Sequence, residues 1–156
     1  MPVTYKKYPE DVVEDTGTVG ILLPMNNTTA RNGLFATSRT TEQQAISNYV
    51  NLLLTFKGER VMQPEFGIGL PNYLFEPNTE AIRSEIEFAI RTQSAFWLPY
   101  ITNHKIEVLE RADIPGIGDN AENSIRVIIT FSVGRDLANK QITIFSEGGR
   151  TNVQIG

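Results

Sequence analysis

The chain contains no cysteine and only one histidine, and these shortages exclude several kinds of chemistry. Without thiols it has no disulfide, no thiolate nucleophile and no cysteine-ligated zinc. His104 alone cannot supply a histidine-based metal site, because such a site needs several ligands. We therefore expect neither a metal nor a cofactor.

A basic surface and long apolar segments are missing as well. The 14 Lys and Arg residues are outnumbered by 18 Asp and Glu, which gives a net charge of −4, whereas nucleic-acid binding requires a basic face for the phosphates. No apolar run approaches the roughly 18 residues of a membrane-spanning helix, and the N-terminal MPVTYKKYPED lacks the apolar core of a signal peptide. We expect a soluble protein, made in a cytoplasm, that neither binds nucleic acid nor inserts into a membrane.

The composition that is present, 40% hydrophobic and 21% charged residues, is that of a folded domain rather than a disordered chain. The first 38 residues show neither a helical nor a strand period and are rich in proline, glycine and asparagine. We interpret residues 1–38 as an extended N-terminal arm, in which only the apolar run at residues 19–23 could form a strand.

Two amphipathic segments predict helices. The first begins near Thr41, which forms a capping-box pattern with Gln44, and stops by Gly58. The second lies between Pro77 and Pro99. Apolar side chains recur at helical spacing in both segments: Ala45, Ile46, Tyr49, Val50, Leu53 and Leu54 in the first, and Ile82, Ile86, Ala89 and Ile90 in the second.

Strands are predicted in the last third of the chain. Apolar residues occupy every second position over residues 125–133, and shorter alternations occur at 105–108 and 142–144. The turn-rich link at 134–140 predicts an antiparallel hairpin. The expected fold is therefore α+β, with two main helices packed on a small antiparallel sheet. One face of the sheet and one face of the second helix should be buried together through Ile129, Phe131, Ile82, Ile86 and Ile90.

The chain thus divides by sequence into three parts. After the arm at 1–38 comes a helix-plus-sheet domain at 39–147, and residues 148–156 form a polar C-terminal tail. Within the domain, residues 111–124 form a long loop with Pro115, Gly116 and Gly118.

Three glutamates between the two helices, Glu59, Glu65 and Glu76, are the only candidates for a carboxylate pair of the glycosidase type. Such a pair needs one acid whose pKa is raised by an apolar pocket. Each glutamate also has a structural explanation; the charge of Glu76, for example, suits the positive end of the following helix. We favour the structural interpretation and expect no enzymatic activity.

Two shorter patterns carry little functional information. Gly67-Ile68-Gly69 lacks the third glycine of a dinucleotide-binding motif, because Asn72 stands at that position. Four acidic and amide residues in the long loop lack the spacing of a calcium-binding loop. We interpret the first pattern as a turn and the second, Asp113, Asp119, Asn120 and Glu122, as a solvated surface.

The segment between the helices carries a family resemblance. TEQQ at 41–44, NLLLT at 51–55, KGERVMQP at 57–64, EFGIGL at 65–70 and LFE at 74–76 resemble the baseplate wedge family of contractile-tailed, T4-like phages, which also includes a component of type VI secretion baseplates. The resemblance covers roughly residues 20–146. It implies a structural protein of the virion's tail baseplate, assembled in the host cytoplasm, repeated around a six-fold tube and initiating the sheath. The implied partners are tail sheath subunits and other baseplate wedge proteins, with the tail tube or hub as a further candidate.

The turn and apolar residues of the segment between the helices predict that it is a strap over them. Its turns are expected at Gly58, Pro64, Gly67, Gly69 and Pro71. Six apolar side chains are expected to anchor it over the helices: Val61, Met62, Phe66, Leu70, Leu74 and Phe75.

Two partner-binding sites are predicted with it. The strand at 140–147 precedes a polar, glycine-bearing tail, so we expect it to be an edge strand that pairs with a sheath subunit through Gln141, Ile142, Thr143, Ile144 and Phe145. The family's Glu-Pro-Arg triplet, which docks onto the helical bundle of the wedge, is replaced here by Trp97-Leu98-Pro99-Tyr100-Ile101. Leu98, Pro99 and Tyr100 are therefore candidates for an apolar docking contact, and Trp97 is expected in the core.

Two alternatives stay open at this point. One is a lysozyme-like enzyme of the tail that degrades the cell wall, which would require two of the three glutamates in a deep cleft. The other is a generic adaptor without sheath contact, for which the last strand would be covered within the chain.

Overall fold

The computed structural model describes residues 19–22, 36–73, 76, 79–109, 126–134, 139–147 and 150–156. Its elements are β1 (Gly20–Ile21), β2 (Thr37–Ser38), α1 (Thr41–Leu54), α2 (Leu70–Tyr73), α3 (Glu80–Trp97), β3 (Ile101–Leu109), β4 (Arg126–Val133), β5 (Lys140–Glu147) and β6 (Arg150–Ile155). The predicted α+β fold is confirmed. The chain forms two compact units, Met1–Asn48 and Tyr49–Gly156, and their boundary falls inside α1.

In the first unit, β1 and β2 form a two-stranded antiparallel sheet in which Gly20 lies opposite Ser38. The Ser38 hydroxyl donates a hydrogen bond of 2.6 Å to Oε1 of Gln44, whose amide donates to Oδ1 of Asn48 at 3.0 Å. A Cβ atom at Gly20 would collide with the Gln44 side chain. A side chain at this position would therefore require the flexible end of the Gln44 side chain to move away.

The start of α1 at Thr41 is confirmed, but its predicted capping box is wrong by one residue. Oγ1 of Thr40 accepts from the Gln43 amide at 3.2 Å, and Oε1 of Gln43 accepts from the Arg39 amide at 3.0 Å. The Gln44 side chain does not accept a hydrogen bond from the N-cap backbone amide, because it is already hydrogen-bonded to Ser38 and Asn48.

Local hydrogen bonds and a proline account for the end of α1 and for both ends of α3. After Leu54, the hydroxyl of Thr55 donates to the Asn51 carbonyl at 2.7 Å, and Gly58, at φ +85°, belongs to the turn that follows. The N-cap of α3 is Thr79, whose hydroxyl accepts from the Ile82 amide at 3.4 Å. The helix stops at Trp97, two residues before Pro99.

A four-stranded antiparallel sheet in the order β3-β4-β5-β6 lies in the second unit. The predicted hairpin between β4 and β5 is confirmed. On one face, residues opposite each other form two apolar rows that cross all four strands. The rows are Ile106, Ile129, Ile142 and Ile155, and Val108, Val127, Ile144 and Val153.

The fourth strand corrects the prediction of a polar tail. Residues 150–155 pair with β5 without a register shift, from Glu147 opposite Arg150 to Ile142 opposite Ile155. Gly148 and Gly149 are the only two residues between the strands, a connection length that suits a tight hairpin. The prediction that nothing after Glu147 covers β5 is therefore wrong. The three-part division of the chain otherwise stays a prediction.

The core of the second unit is centred on Phe131 of β4. Phe131, Ile129, Ile86 and Ile90 are fully buried as predicted, whereas Ile82 is only half-buried. The Tyr49 ring of α1 packs edge-on against Phe131, with ring centroids 5.0 Å apart and an interplanar angle of 78°.

A series of hydrogen-bonded polar side chains lies beside this aromatic pair. The Tyr49 hydroxyl donates to Oδ1 of Asn103 at 2.6 Å, and the Asn103 amide donates to the Ser94 hydroxyl at 2.7 Å. That hydroxyl in turn donates to the Ile90 carbonyl at 2.6 Å. Each of these side chains has a hydrogen-bond partner, so the polar groups between α1, α3 and β3 are compatible with a tightly packed core.

Candidate functional site

The segment from Thr55 to Gly69 is a strap, as predicted, because backbone hydrogen bonds fold it on itself and onto α1. The Gly58 amide donates to the Pro64 carbonyl at 2.8 Å, and the Ile68 amide donates to the Leu52 carbonyl at 3.0 Å. Its turns use three glycines with positive φ, namely Gly58 at +85°, Gly67 at +111° and Gly69 at +69°.

The anchors of the strap are only partly those expected. Phe66 and Leu70 are buried as predicted, and Ile68, which was not among the predicted anchors, is buried with them. Val61 and Met62 are 94% and 91% exposed, so the prediction that they anchor the strap is wrong. They lie in a turn that projects outward between Arg60 and Gln63. Leu74 and Phe75 lie outside the described residues.

A line of ring contacts connects the strap to the end of α3. The Arg60 guanidinium stacks over the Phe66 ring at 3.6 Å, and Phe66 packs edge-on against Trp97 at 5.3 Å. Trp97 contacts Phe96 at 5.0 Å, and Phe96 is 74% exposed. Trp97 itself is half-buried, with its indole N–H donating to Gln93 at 2.9 Å.

The candidate docking residues after α3 differ in their exposure. Leu98 is buried, so it is a core residue and offers no surface to a partner. Pro99 is exposed and Tyr100 is half-exposed. The Tyr100 carbonyl accepts from the Gly134 amide at 2.7 Å, which holds this corner against the end of β4. Only Pro99 and Tyr100 of the predicted set therefore reach the surface.

The candidate sheath-binding residues lie on a strand whose backbone groups are already used. Gln141 and Gly156 exchange both hydrogen bonds, at 3.1 and 2.9 Å. Hydrogen-bonded and non-hydrogen-bonded pairs alternate in an antiparallel ladder. The backbone N–H and C=O groups of Thr143 and Phe145 therefore also point toward β6, while those of Ile142 and Ile144 point toward β4. The prediction that β5 presents free amides to a partner strand is therefore wrong.

The open edge on this side of the described sheet is β6. By the same alternation, the backbone groups of Thr151, Val153 and Ile155 point away from β5. The sequence signal was the alternation of Val153 and Ile155 with polar residues immediately after Gly148-Gly149. This signal is weak, because the segment is short and mostly polar.

A sequence model of the baseplate wedge protein gp25 family matches residues 40–136. The chain belongs to this family. The match confirms the resemblance seen in the sequence, and it ends after β4, so β5 and β6 lie beyond it. No curated protein matches the chain.

Two solved structures share the gp25-family fold described above. A chain of the 6-fold symmetrised baseplate of the anti-feeding prophage matches with a TM-score of 0.55 and 15% identity, over 75% of this chain and 86% of that chain. A crystal structure from Geobacter sulfurreducens, of a protein described as a tail lysozyme, matches with a TM-score of 0.54 and 22% identity, over 69% and 93%. At these identities the likeness shows the fold alone. Family membership makes the gp25-family protein a structural component of a tail baseplate that partners with other baseplate proteins.

The gp25-family chain places its three candidate glutamates in the open. Glu59, Glu65 and Glu76 are all exposed, and Oε2 of Glu59 accepts from the Phe56 amide at 3.0 Å as part of the strap turn. An exposed carboxylate lacks the apolar surroundings that would make it a general acid. These side chains therefore act as surface and turn residues.

The other sequence patterns of the gp25-family protein add no site. Gly67-Ile68-Gly69 is a buried turn on α1, as interpreted from the sequence. Asp113, Asp119, Asn120 and Glu122 lie outside the described residues. Among the residues that are described, no group of three His, Asp or Glu side chains could hold a metal ion, and no helix is long and apolar enough to cross a membrane.

The phenol of Tyr49 is buried in the core of the gp25-family protein, so we expect its ionisation to affect stability at alkaline pH. Burial raises the pKa of Tyr49 above the ordinary value of 10.0. Above about pH 10 the unfolded chain loses this proton while the folded chain keeps it, so the contribution of Tyr49 to stability, present below that pH, is lost as the pH rises.

We expect the free energy of unfolding to fall more steeply above about pH 10 in the wild type than in Tyr49→Phe, since phenylalanine has no proton to lose. Urea denaturation at a series of pH values measures the difference. Below that pH the variant should be less stable by about 1–3 kcal/mol, because Oδ1 of Asn103 loses its donor. Parallel pH profiles for the two proteins would contradict the assignment.

Proposed function

We propose that this baseplate protein initiates the tail sheath by accepting a strand of a sheath subunit on the β6 edge of its sheet. The observation that carries the proposal is the row of backbone groups at Thr151, Val153 and Ile155, which have no strand beside them within the described residues. An open edge of this kind binds an extended segment by backbone hydrogen bonds.

The β6 edge lacks several of the features that usually discourage pairing, although its first residue, Arg150, is charged. It contains no proline and no lysine, and its register with β5 is regular from end to end. The two apolar rows of the sheet also end there, with Ile155 still 47% exposed and Val153 half-exposed. A fifth strand with apolar residues at alternate positions would extend both rows and bury these two side chains.

The opposite face of the same edge suits polar side chains. Gln141, Thr143 and Gln154, with Ile155 and Gly156, line an open cavity of about 410 Å³. A sheath strand that alternates apolar with polar residues would place its polar side chains on this face. Gln141 and Thr143 of the predicted site would then contribute side-chain contacts, while β6 supplies the backbone hydrogen bonds.

A second contact, with the other wedge proteins, is proposed at the end of α3. Pro99 and Tyr100 follow Phe96 in the chain by three and four residues, and Phe96 is 74% exposed. The outward Val61 and Met62 belong to the strap, which packs on Trp97 through Phe66. Exposed apolar groups in one region are typical of protein–protein interfaces. This contact would hold the protein in the tail baseplate of the virion and leave the β6 edge free for the sheath. The baseplate would be assembled in the host cytoplasm.

Strand addition can be tested with proline on β6. Val153→Pro removes an amide that points away from β5, so the fold should survive and sheath assembly on variant baseplates should be lost. Val153→Thr keeps the backbone and a similar shape, so it should assemble sheath normally. Sheath length is measured by electron microscopy, and the fold by circular dichroism.

Two further variants separate the edge from the interior of the sheet. Thr143→Pro and Gln154→Pro each remove an amide that bonds within the chain, so both should destabilise the isolated protein, unlike Val153→Pro. Normal sheath growth on a folded Val153→Pro baseplate would show that the sheath does not attach by strand addition at β6.

A further inference from the structure

The described sheet has a second edge, β3, and its geometry differs from that of β6. Asn103 lies opposite Phe131 and Lys105 lies opposite Thr130, so His104 is an extra residue with no position across from it. Nε2 of His104 lies 3.0 Å from the Ser132 hydroxyl, which holds the inserted residue back against β4. Such a bulge bends and twists an edge strand away from the flat geometry that a further strand needs.

Charge lies directly beside the bulge. Nζ of Lys105 and Oε1 of Glu107 are 2.7 Å apart, with side chains 65% and 39% exposed. In the ladder with β4, Ile106 and Val108 are the residues whose backbone groups point outward, because their partners Ile129 and Val127 face β5. An added strand would therefore have to lie along the charged pair and past the bulge.

The two edges would otherwise complement each other. In an antiparallel sheet of four strands, β3 and β6 run in opposite directions, so β6 of one copy and β3 of an identically oriented second copy would pair antiparallel. This contact does not close on itself, and repeating it builds an open fibre. If β6 accepts a strand, the protein needs a structural feature that prevents β3 of a second copy from binding there.

We propose that β3 is a closed edge, in which the His104 bulge and the Lys105–Glu107 pair prevent copies of the protein from chaining through β6 and β3. The inference does not depend on what binds β6 in the tail. The sheet therefore has one edge, β6, that can pair with a further strand and one edge, β3, that cannot. The protein can then be added to an assembly in only one direction.

The test removes the closing features in two steps. Lys105→Thr with Glu107→Thr removes the charge, and a second variant also deletes His104. Size-exclusion chromatography with light scattering over a range of protein concentrations measures the mass. We expect both variants to form species at least about twofold larger than the wild type, growing with concentration, as an open contact requires.

Adding Val153→Pro to the Lys105→Thr, Glu107→Thr variant should return the mass to that of the wild type, because the receptive edge is then removed. The deletion can shift the register of β3, so the variant without it decides the outcome if the deletion fails to fold. A folded Lys105→Thr, Glu107→Thr protein with wild-type mass at every concentration overturns the proposal. Larger species that persist with Val153→Pro overturn it too, because they form through another surface.

Discussion

Phe131→Ala is expected to lower the free energy of unfolding by about 3–5 kcal/mol, the cost of removing a fully buried phenylalanine and leaving a cavity. The ring is 0% exposed and meets Tyr49 edge-on at 5.0 Å. Ile129 lies two residues before it on the same buried face of β4. The cavity would therefore open between the sheet and α1, where neighbouring side chains are already close-packed and cannot collapse into it.

Urea denaturation followed by circular dichroism measures this loss. Thr130→Ala is the matched control, because Thr130 is the neighbouring β4 residue on the opposite, half-exposed face. Its substitution should change stability by no more than about 0.5 kcal/mol. A loss below about 1 kcal/mol for Phe131→Ala would place the ring outside the core.

Gly67→Ala is expected to cost about 2–5 kcal/mol, because two penalties add. Gly67 has φ of +111°, a conformation that residues with a Cβ atom rarely adopt, and a Cβ there would collide with the carbonyl oxygen of Thr55. That carbonyl is backbone at the end of α1, so it cannot swing aside as a long side chain could. The strap would have to move off the helix to accommodate the methyl group.

Gly58→Ala separates the two penalties. Gly58 also has a positive φ, of +85°, but a Cβ there would have nothing within 4 Å. Its substitution should therefore cost only the conformational strain, about 1–2 kcal/mol. Thermal or urea denaturation of both variants gives the comparison. Equal losses at the two positions would mean that the strap does not pack closely on Thr55.

Much of the fold followed from short-range patterns. The start of α1, the end of α3 before Pro99 and the hairpin of β4 and β5 were predicted correctly, because caps, prolines and alternation act within a few residues. The family was also visible in the sequence, since its motifs lie between residues 41 and 76 and within the matched range 40–136.

The candidate sites were predicted less well, because a site depends on exposure and on distant pairing. Val61 and Met62 look like anchors by composition, yet the turn that carries them projects outward. Leu98 looks like a docking residue, yet it is buried at the end of α3. Neither outcome follows from the residue type, since hydrophobic side chains also make up much of a protein surface.

The sequence by itself determined the start of α1, the end of α3, the alternation of the strands, the absence of thiol chemistry and the membership of a baseplate family. The end of α1 was predicted at Gly58 but lies at Leu54. Only the tertiary structure decided which strand is the edge. A strand's own sequence specifies which face of the sheet each side chain takes, but not how many strands lie beside it. That number depends on β6, which pairs with the backbone groups of Gln141, Thr143 and Phe145, while β4 pairs with those of Ile142 and Ile144. The open edge is therefore at β6, where the backbone groups of residues 151, 153 and 155 point outward.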